Sequence, residues 1–387
     1  MKKVLIVATV FKFLSFEETD MNTLKQMGFE IHTATNMKTA GWLKDDGTLD
    51  YLDIKKHQID FARKPFSKQN IVAYKQLKKL LSQEKFELIH CHTPVAATIL
   101  RGAAIKAKKR GTKIIYTSHG FHFHHASGIK SWFIYYPIEY IMAFCCDMII
   151  TINKEDYNVV QKFHTKQKKY IPGVGVDVKH IMNMQIDKNK VRSKFQIPPE
   201  AFLILSVGEL SERKNHKVII KAIAQLRDPE VYYLICGTGN QKEYLEKLAD
   251  KCGIRNQVIF AGQQQHEEVL KLGHAADIGA LPSLIEGLGL TGIEILSAGK
   301  PIIASGVHGI KDYVVTNQTG ICCSPYSVEE FKNAIEILKA NRELYVHCCE
   351  EAPQMALKFD IDNVKRKMEE NYRIILCREE EVKDVTL

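Results

Sequence analysis

The amino-acid sequence predicts an α/β protein made of two doubly wound parallel-sheet domains in series. Three observations carry that expectation. The chain has 387 residues, too many for one ordinary core at roughly 150 residues per domain. Hydrophobic residues make up 45% and charged residues 26%, the balance of a globular protein with large cores to bury, which sets aside disordered and fibrous classes. Apolar runs of about four to eight residues alternate with amphipathic segments of about ten to eighteen, the pattern of repeated βαβ units.

The first run, Val4 to Val10, leads straight into Phe11-Lys12-Phe13 with no small-residue cleavage site, so it reads as a buried strand rather than a leader. Leu88 to His92, Lys113 to Ser118, Met148 to Ile152 and Lys169 to Pro172 supply the other strands of the first half. The second half offers Phe202 to Val207, Val231 to Cys236, Val258 to Ala261, Ile278 to Leu281 and Pro301 to Ser305. Strand signals lapse between Gly173-Val174-Gly175-Val176-Asp177 and Ile197-Pro198-Pro199, where a hinge is expected. The domains are therefore expected at 1–180 and 181–358, with a final helix, Phe359 to Cys377, in the remaining segment 359–387. Trp132 to Ile152 comes nearest to a membrane-spanning run, and Pro137, Glu139 and Asp147 break it. No repeat of solenoid period and no low-complexity tract is present.

The ten cysteines show no C-x-x-C and no zinc spacing, and adjacent pairs such as Cys145-Cys146 seldom bridge each other; reduced thiols in a cytoplasmic protein are expected. The net charge of +9 is uneven: through Lys190 there are 30 Lys+Arg against 17 Asp+Glu, and beyond it 24 against 28. The clusters Lys106-Ala107-Lys108-Lys109-Arg110 and Lys166-Gln167-Lys168-Lys169 suit an anionic lipid surface, a diphosphate-bearing acceptor or nucleic acid, or are simply solvated helix faces.

Open parallel sheets bind ligands outside the carboxyl ends of their strands. The residues with chemistry gather there. In the first half these are His90, His92 and Ser118-His119-Gly120-Phe121-His122-Phe123; in the second, Gly208, Gly237-Thr238-Gly239, Gly262 and the stretch from Ser283 to Glu294. Arg213-Lys214 lie just before a helix expected near Lys217. Cations there, beside free backbone N–H groups, can hold a diphosphate, or are a solvated surface pair. In Glu286-Gly287-Leu288-Gly289-Leu290-Thr291-Gly292-Ile293-Glu294 the glycines admit a ligand close to the backbone, and a helix start near Gly292 turns N–H groups toward negative charge. The two carboxylates would then meet sugar hydroxyls. Thr291 and Glu294 also have capping-box spacing, which would make Glu294 a helix cap; Glu286 lies outside that box.

His119 precedes a glycine that opens space above it, as contact with a sugar or its acceptor requires. His119, His122, His124 and His125 could be read as a metal site, but no carboxylate is near them in sequence, so structural roles are expected for His122 to His125 and no metal. The first strand is not followed by G-x-G-x-x-G, and neither a Walker A lysine loop nor G-x-S-x-G occurs, which removes dinucleotide oxidoreductases, kinase-like and esterase-like functions.

Together these residues resemble the retaining glycosyltransferases of family 4, in the bacterial branch that builds capsular and exopolysaccharide repeats. Ser118 to Phe123, Thr151-Ile152-Asn153-Lys154-Glu155-Asp156, Pro172 to Asp177, the loop from Gly208 to His216 and Glu286-x7-Glu294 stand in the family's order along nearly the whole chain. The resemblance implies the GT-B fold, two facing domains with a deep cleft between them. It gives the acceptor to 1–180 and a nucleotide diphosphate sugar, a UDP-sugar first, to 181–358, and returns the helix of 359–387 to the first domain. His119, Glu286 and Lys214 take the catalytic roles: Lys214 neutralises the diphosphate, Glu286 lies near the transferred sugar and His119 faces it. The donor-binding set is Gly208, Arg213, Lys214, Gly237, Gly262, Gly289, Leu290, Thr291 and Glu294, with Glu294 on the ribose. Glu209 stands where many members carry Arg, so Arg213 is the candidate replacement cation, and the family's Gly-Gly turn after the first strand is not evident near Val10 to Leu14.

The resemblance further implies retention of anomeric configuration with no metal or other cofactor. The implied partners are the donor, a glycan acceptor carried on a polyprenyl diphosphate and a peripheral contact with the anionic inner membrane, with no nucleic acid. Two other functions fit the same residues: a UDP-sugar 2-epimerase, which would turn over donor without acceptor, and a non-catalytic sugar-nucleotide-binding subunit. The run Ile129 to Phe144, with Trp132, Tyr135 and Tyr136, is compatible with a lipid-linked acceptor at the membrane; a core helix is the simpler expectation.

Overall fold

The computed structural model describes residues 1–39, 47–124 and 127–377. It divides into two compact units, Met1–Val174 with Asp362–Leu387, and Gly175–Ile361. Unit 1 runs β1 (Lys2–Val10), α1 (Glu18–Gln26), β2 (Phe29–Asn36), β3 (Lys55–Gln58), α2 (Gln69–Gln83), β4 (Leu88–His92), α3 (Pro94–Ala103), α4 (Ile105–Lys109), β5 (Lys113–Ser118), α5 (Ile129–Ala143), β6 (Met148–Thr151), α6 (Lys154–Val160) and β7 (Gln167–Tyr170). Every strand pairing is parallel, in the order β3-β2-β1-β4-β5-β6-β7. Parallel strands covered by helices on both faces are buried throughout, which is why β1 and β6 read as apolar runs, and β4 is buried as fully although it carries His90 and His92.

Unit 2 runs α7 (Val178–Asn183), α8 (Lys188–Ser193), β8 (Phe202–Val207), α9 (His216–Leu226), β9 (Val231–Cys236), α10 (Lys242–Lys251), β10 (Val258–Gly262), α11 (His266–Ala275), β11 (Ile278–Leu281), α12 (Leu290–Ser297), β12 (Ile302–Ser305), β13 (Gly320–Cys323), α13 (Val328–Ala340) and α14 (Arg342–Ala356). Its six parallel strands lie in the order β10-β9-β8-β11-β12-β13. Strand order reverses direction beside β1 in the first sheet and beside β8 in the second, so the β1/β4 and β8/β11 crevices are the topological switch points where ligands bind in such sheets.

The last helix, α15 (Ile361–Leu376), belongs almost wholly to unit 1. Its Tyr372 is fully buried there; the hydroxyl donates to Asp20 Oδ2 at 3.0 Å and lies 2.9 Å from His90 Nδ1. Gly175, at φ +91°, sits where a Cβ would approach Ile361 Cα to 2.9 Å; next to it Val176 N–H donates to Phe359 O and Ile361 N–H donates to Val176 O.

Ile129 to Phe144 forms α5 and its cap, and it is not a core helix. Its buried side chains are Glu139 and Ala143. Trp132, Tyr135, Tyr136 and Tyr140 pack partly on the core. The opposite face is open, with Phe133 76% and Ile141 62% exposed. A buried ion pair fixes this orientation: Arg101 of α3 donates to Glu139 at 2.7 Å and stacks on Tyr116. No helix among the described residues is long and apolar enough to cross a membrane.

Candidate functional site

In unit 2 the loops at the carboxyl ends of β8, β9 and β10 are joined backbone to backbone. Gly208 N–H donates to Cys236 O, Gly237 N–H to Gly262 O, and Leu210 N–H to Thr238 O, all within 2.8–2.9 Å. Gly237, at φ +146°, has no room for a side chain: a Cβ there would lie 1.9 Å from Gly208 O. Only glycine lets these two loops touch.

Asn215 closes the other side. It takes a left-handed conformation (φ 55°) just before α9, and its amide donates to Pro282 O at 3.0 Å and Pro325 O at 2.8 Å. Leu284 N–H donates to Arg213 O at 2.8 Å. The cation-bearing turn is thereby tied to the loop that carries Glu286.

Lys214 Nζ donates to Glu286 Oε2 at 2.5 Å, and Arg213 Nη1 reaches Ile285 O at 3.1 Å and the same Glu286 oxygen at 3.4 Å. Arg213-Lys214 is thus no merely solvated pair. Burial by itself would raise the Glu286 carboxyl, but the Lys214 charge and hydrogen bond, with Arg213 and Ser283, outweigh it and hold the group below the usual carboxylate range. Beside this pair α12 begins at Leu290, two residues earlier than the sequence suggests, with Gly289 (φ 81°) as its cap and no side-chain cap bond. Tyr313 hydroxyl donates to Leu288 O and Gly289 O, holding the turn so that the first N–H groups of α12, those of Leu290 and Thr291, stay uncapped by side chains. The capping-box alternative fails: Glu294 Oε1 lies 2.8 Å from His266 Nε2 rather than turning back on the helix start, and it raises the His266 imidazole by that hydrogen bond.

In unit 1, His119 follows β5 and reaches the residues at the β1/β4 switch point. The turn after it is fixed by Asp156, whose Oδ2 accepts from Phe121 N–H at 3.1 Å and from Asn153 Nδ2 at 3.0 Å, while Asn153 caps α6. This gives the Thr151-to-Asp156 motif a positioning task. His119 Nε2 lies 3.1 Å from His92 Nδ1 and 3.2 Å from Glu17 Oε1, and His92 Nδ1 lies 3.4 Å from the same oxygen. Burial lowers His119 to about 4 and His90 to about 3, and raises Glu17 well above its ordinary value with help from nearby Asp20. His119 and His90 are therefore neutral imidazoles at neutral pH. Among the described residues, Glu17, His92 and His119 are the group close enough to share one ion; His122 and His124 are not part of it, and His125 lies outside the described residues.

Along 99% of its length the chain is 32% identical to the whole of EpsD of Bacillus subtilis (strain 168), itself a glycosyltransferase by assignment. Residues 187–355 match the family described as Glycosyl transferases group 1, and residues 21–179 match Glycosyltransferase Family 4. This chain is a family 4 glycosyltransferase. Among solved structures, Anabaena HepE in complex with UDP and glucose superposes with TM-score 0.78 at 18% identity, covering 97% of the transferase and 100% of HepE. Sucrose-phosphate synthase from Thermosynechococcus elongatus gives the same TM-score at 17% identity over 97% and 99%. At such identities the likeness is one of fold, GT-B, with two parallel-sheet α/β domains.

The transferase brings together in unit 2 the predicted Gly208, Arg213, Lys214, Gly237, Gly262 and Glu286, with Gly289, Leu290, Thr291 and Glu294 on the adjoining helix start. Glu209 is exposed and makes no part of the Lys214 group, whereas Arg213 does. Sequence reasoning missed Glu17, Asp20, His266 and Tyr313. Glu17 ends the turn after β1 and Asp20 lies in the first turn of α1 just beyond it, beside the switch point, and that position was the signal that could have found them.

Proposed function

We propose that this transferase moves a sugar from a UDP-sugar to a glycan carried on a polyprenyl diphosphate, in capsule or exopolysaccharide synthesis at the cytoplasmic face of the inner membrane. Retention of configuration and independence of metal are parts of the proposal. The observation that carries it is the Lys214–Glu286 pair, with Arg213 beside it, at the β8/β11 switch point next to the uncapped start of α12. A departing nucleoside diphosphate needs positive charge, and two cations with a helix start supply it where a divalent ion serves in other enzymes. Glu286 then exchanges Lys214 for sugar hydroxyls, and Glu294 serves the ribose. HepE, with UDP and glucose bound, supports the choice of UDP. Unit 1 is assigned the acceptor and His119 the contact with the transferred sugar, its neutral imidazole able to accept or donate one hydrogen bond. No nucleophilic side chain is assigned; the acceptor hydroxyl attacks on the face the diphosphate leaves.

The test is nucleotide release from a panel of UDP-, GDP- and ADP-sugars with chelator present. Release of UDP, reduced about 10²- to 10³-fold in Lys214→Ala, is the expected result. Binding of none of these donors would overturn the proposal. A sugar epimerised without acceptor would replace it with the 2-epimerase reading.

A further inference from the structure

Three adjoining concavities of unit 1 form one continuous groove. The first is lined by Lys12, Phe13, Arg63, Thr93 and Val95. It lies next to His119, whose ring is 4.9 Å from that of Phe13. The second shares Pro94, Val95 and His122 with it and continues over Ile99 and Ile138. The third shares Phe66 and Ile99 with the second and ends at Ile71, Tyr74 and Met142, on the outer side of α2, α3 and α5. Gly102 lies on its floor, where a side chain would touch Tyr74 and Met142.

The groove changes character along its length. Two cations stand at the His119 end. In the second concavity Glu139 is engaged by Arg101, and in the third the Asn70 amide is engaged by Lys64 O and Pro65 O. Most of this wall is apolar, from Pro94 and Val95 through Ile99 and Ile138 to Phe66, which suits a hydrocarbon chain that needs no hydrogen-bond partners. The outer end opens on apolar side chains left in water: Phe66, Ile71 and Val72, and across α3 the Phe133 and Ile141 face of α5. The surrounding segment, residues 61–83, holds six Lys or Arg and no carboxylate, the charge that an anionic bilayer attracts.

We infer that this groove holds a lipid-linked diphosphate, with the diphosphate at Lys12 and Arg63, the hydrocarbon chain over Val95, Ile99 and Phe66, and the exposed face of α5 seated in the membrane interface. The inference rests on the transferase reading above and names where its acceptor's anchor lies. The diphosphate end places a glycan attached to it beside His119.

The probe is geranylgeranyl diphosphate, titrated below its micelle concentration against the full chain, with geranylgeraniol and inorganic diphosphate as partial ligands and UDP in a parallel titration. Phe66 and Arg63 are exposed, so Phe66→Ser and Arg63→Ala alter the groove without touching the core. The expected result is that the diphosphate lipid binds tighter than either partial ligand and that each variant weakens it at least about tenfold. Equal affinity in wild type and both variants, or affinity no better than inorganic diphosphate, overturns the groove. UDP binding by the wild type separates the two readings: UDP bound with the groove unaffected sinks this inference alone, and a groove effect with no UDP bound sinks the transferase proposal while leaving a lipid-diphosphate site.

Discussion

Asp20 shows how a buried carboxyl marks the pH response of unit 1. Burial lifts it to about 7 against the hydrogen bond from Tyr372, which pulls the other way. Because the folded value exceeds the ordinary value of 3.8, folding takes up a proton there, and that stabilisation is lost as pH rises from about 4 to about 7. Glu17 shifts in the same sense. Asp20→Asn, whose amide still accepts from Tyr372, should therefore gain in thermal midpoint relative to the wild type as pH rises from about 5 to about 8, a difference in which the opposite response of the buried histidines, common to both chains, cancels. Glu286 behaves oppositely. Its lowered carboxyl favours the folded state above its ordinary value of 4.5 and loses that contribution only in stronger acid.

Between elements, the contacts that matter are glycine contacts. Gly237→Ala places a Cβ 1.9 Å from Gly208 O, so β8 and β9 loops must separate. Unit 2 should lose more than about 2 kcal/mol in denaturant titration, and UDP affinity should fall with it. All ten strands expected from the sequence form, most within a residue or two of their expected ends. β2, β3 and β13 were not legible: β2 buries His32, Thr33 and Thr35, which interrupt its apolar pattern, while Lys55–Gln58 is a polar edge strand and Gly320–Cys323 a short one. α5 misled for the opposite reason. Its composition is that of a core helix, and which side faces inward is set by contacts distant in sequence such as the Arg101–Glu139 pair. Lys214 and Glu286 could be read because they stand in the loops that follow β8 and β11. Their mutual pairing could not, since 72 residues separate them and the clamp that joins their loops is the amide of Asn215.

Across the whole molecule, α15 completes a unit it does not follow in sequence. Tyr372 supplies the hydroxyl that Asp20 and His90 share in the interior of unit 1, beneath the Glu17, His92 and His119 cluster. Tyr372→Phe keeps the ring and leaves both partners buried without it, so unit 1 should be destabilised by about 1–3 kcal/mol, with unit 2 unfolding as in the wild type when each is followed by its own probe. The same arrangement bears on synthesis by the ribosome. The 282 residues between His90 and Tyr372 emerge over tens of seconds at roughly 5–20 residues per second, an interval in which unit 2 can finish folding while unit 1 waits with two buried polar groups unanswered. The half of the molecule made first is thus completed last, and it is this half that would need protection by chaperones in the meantime.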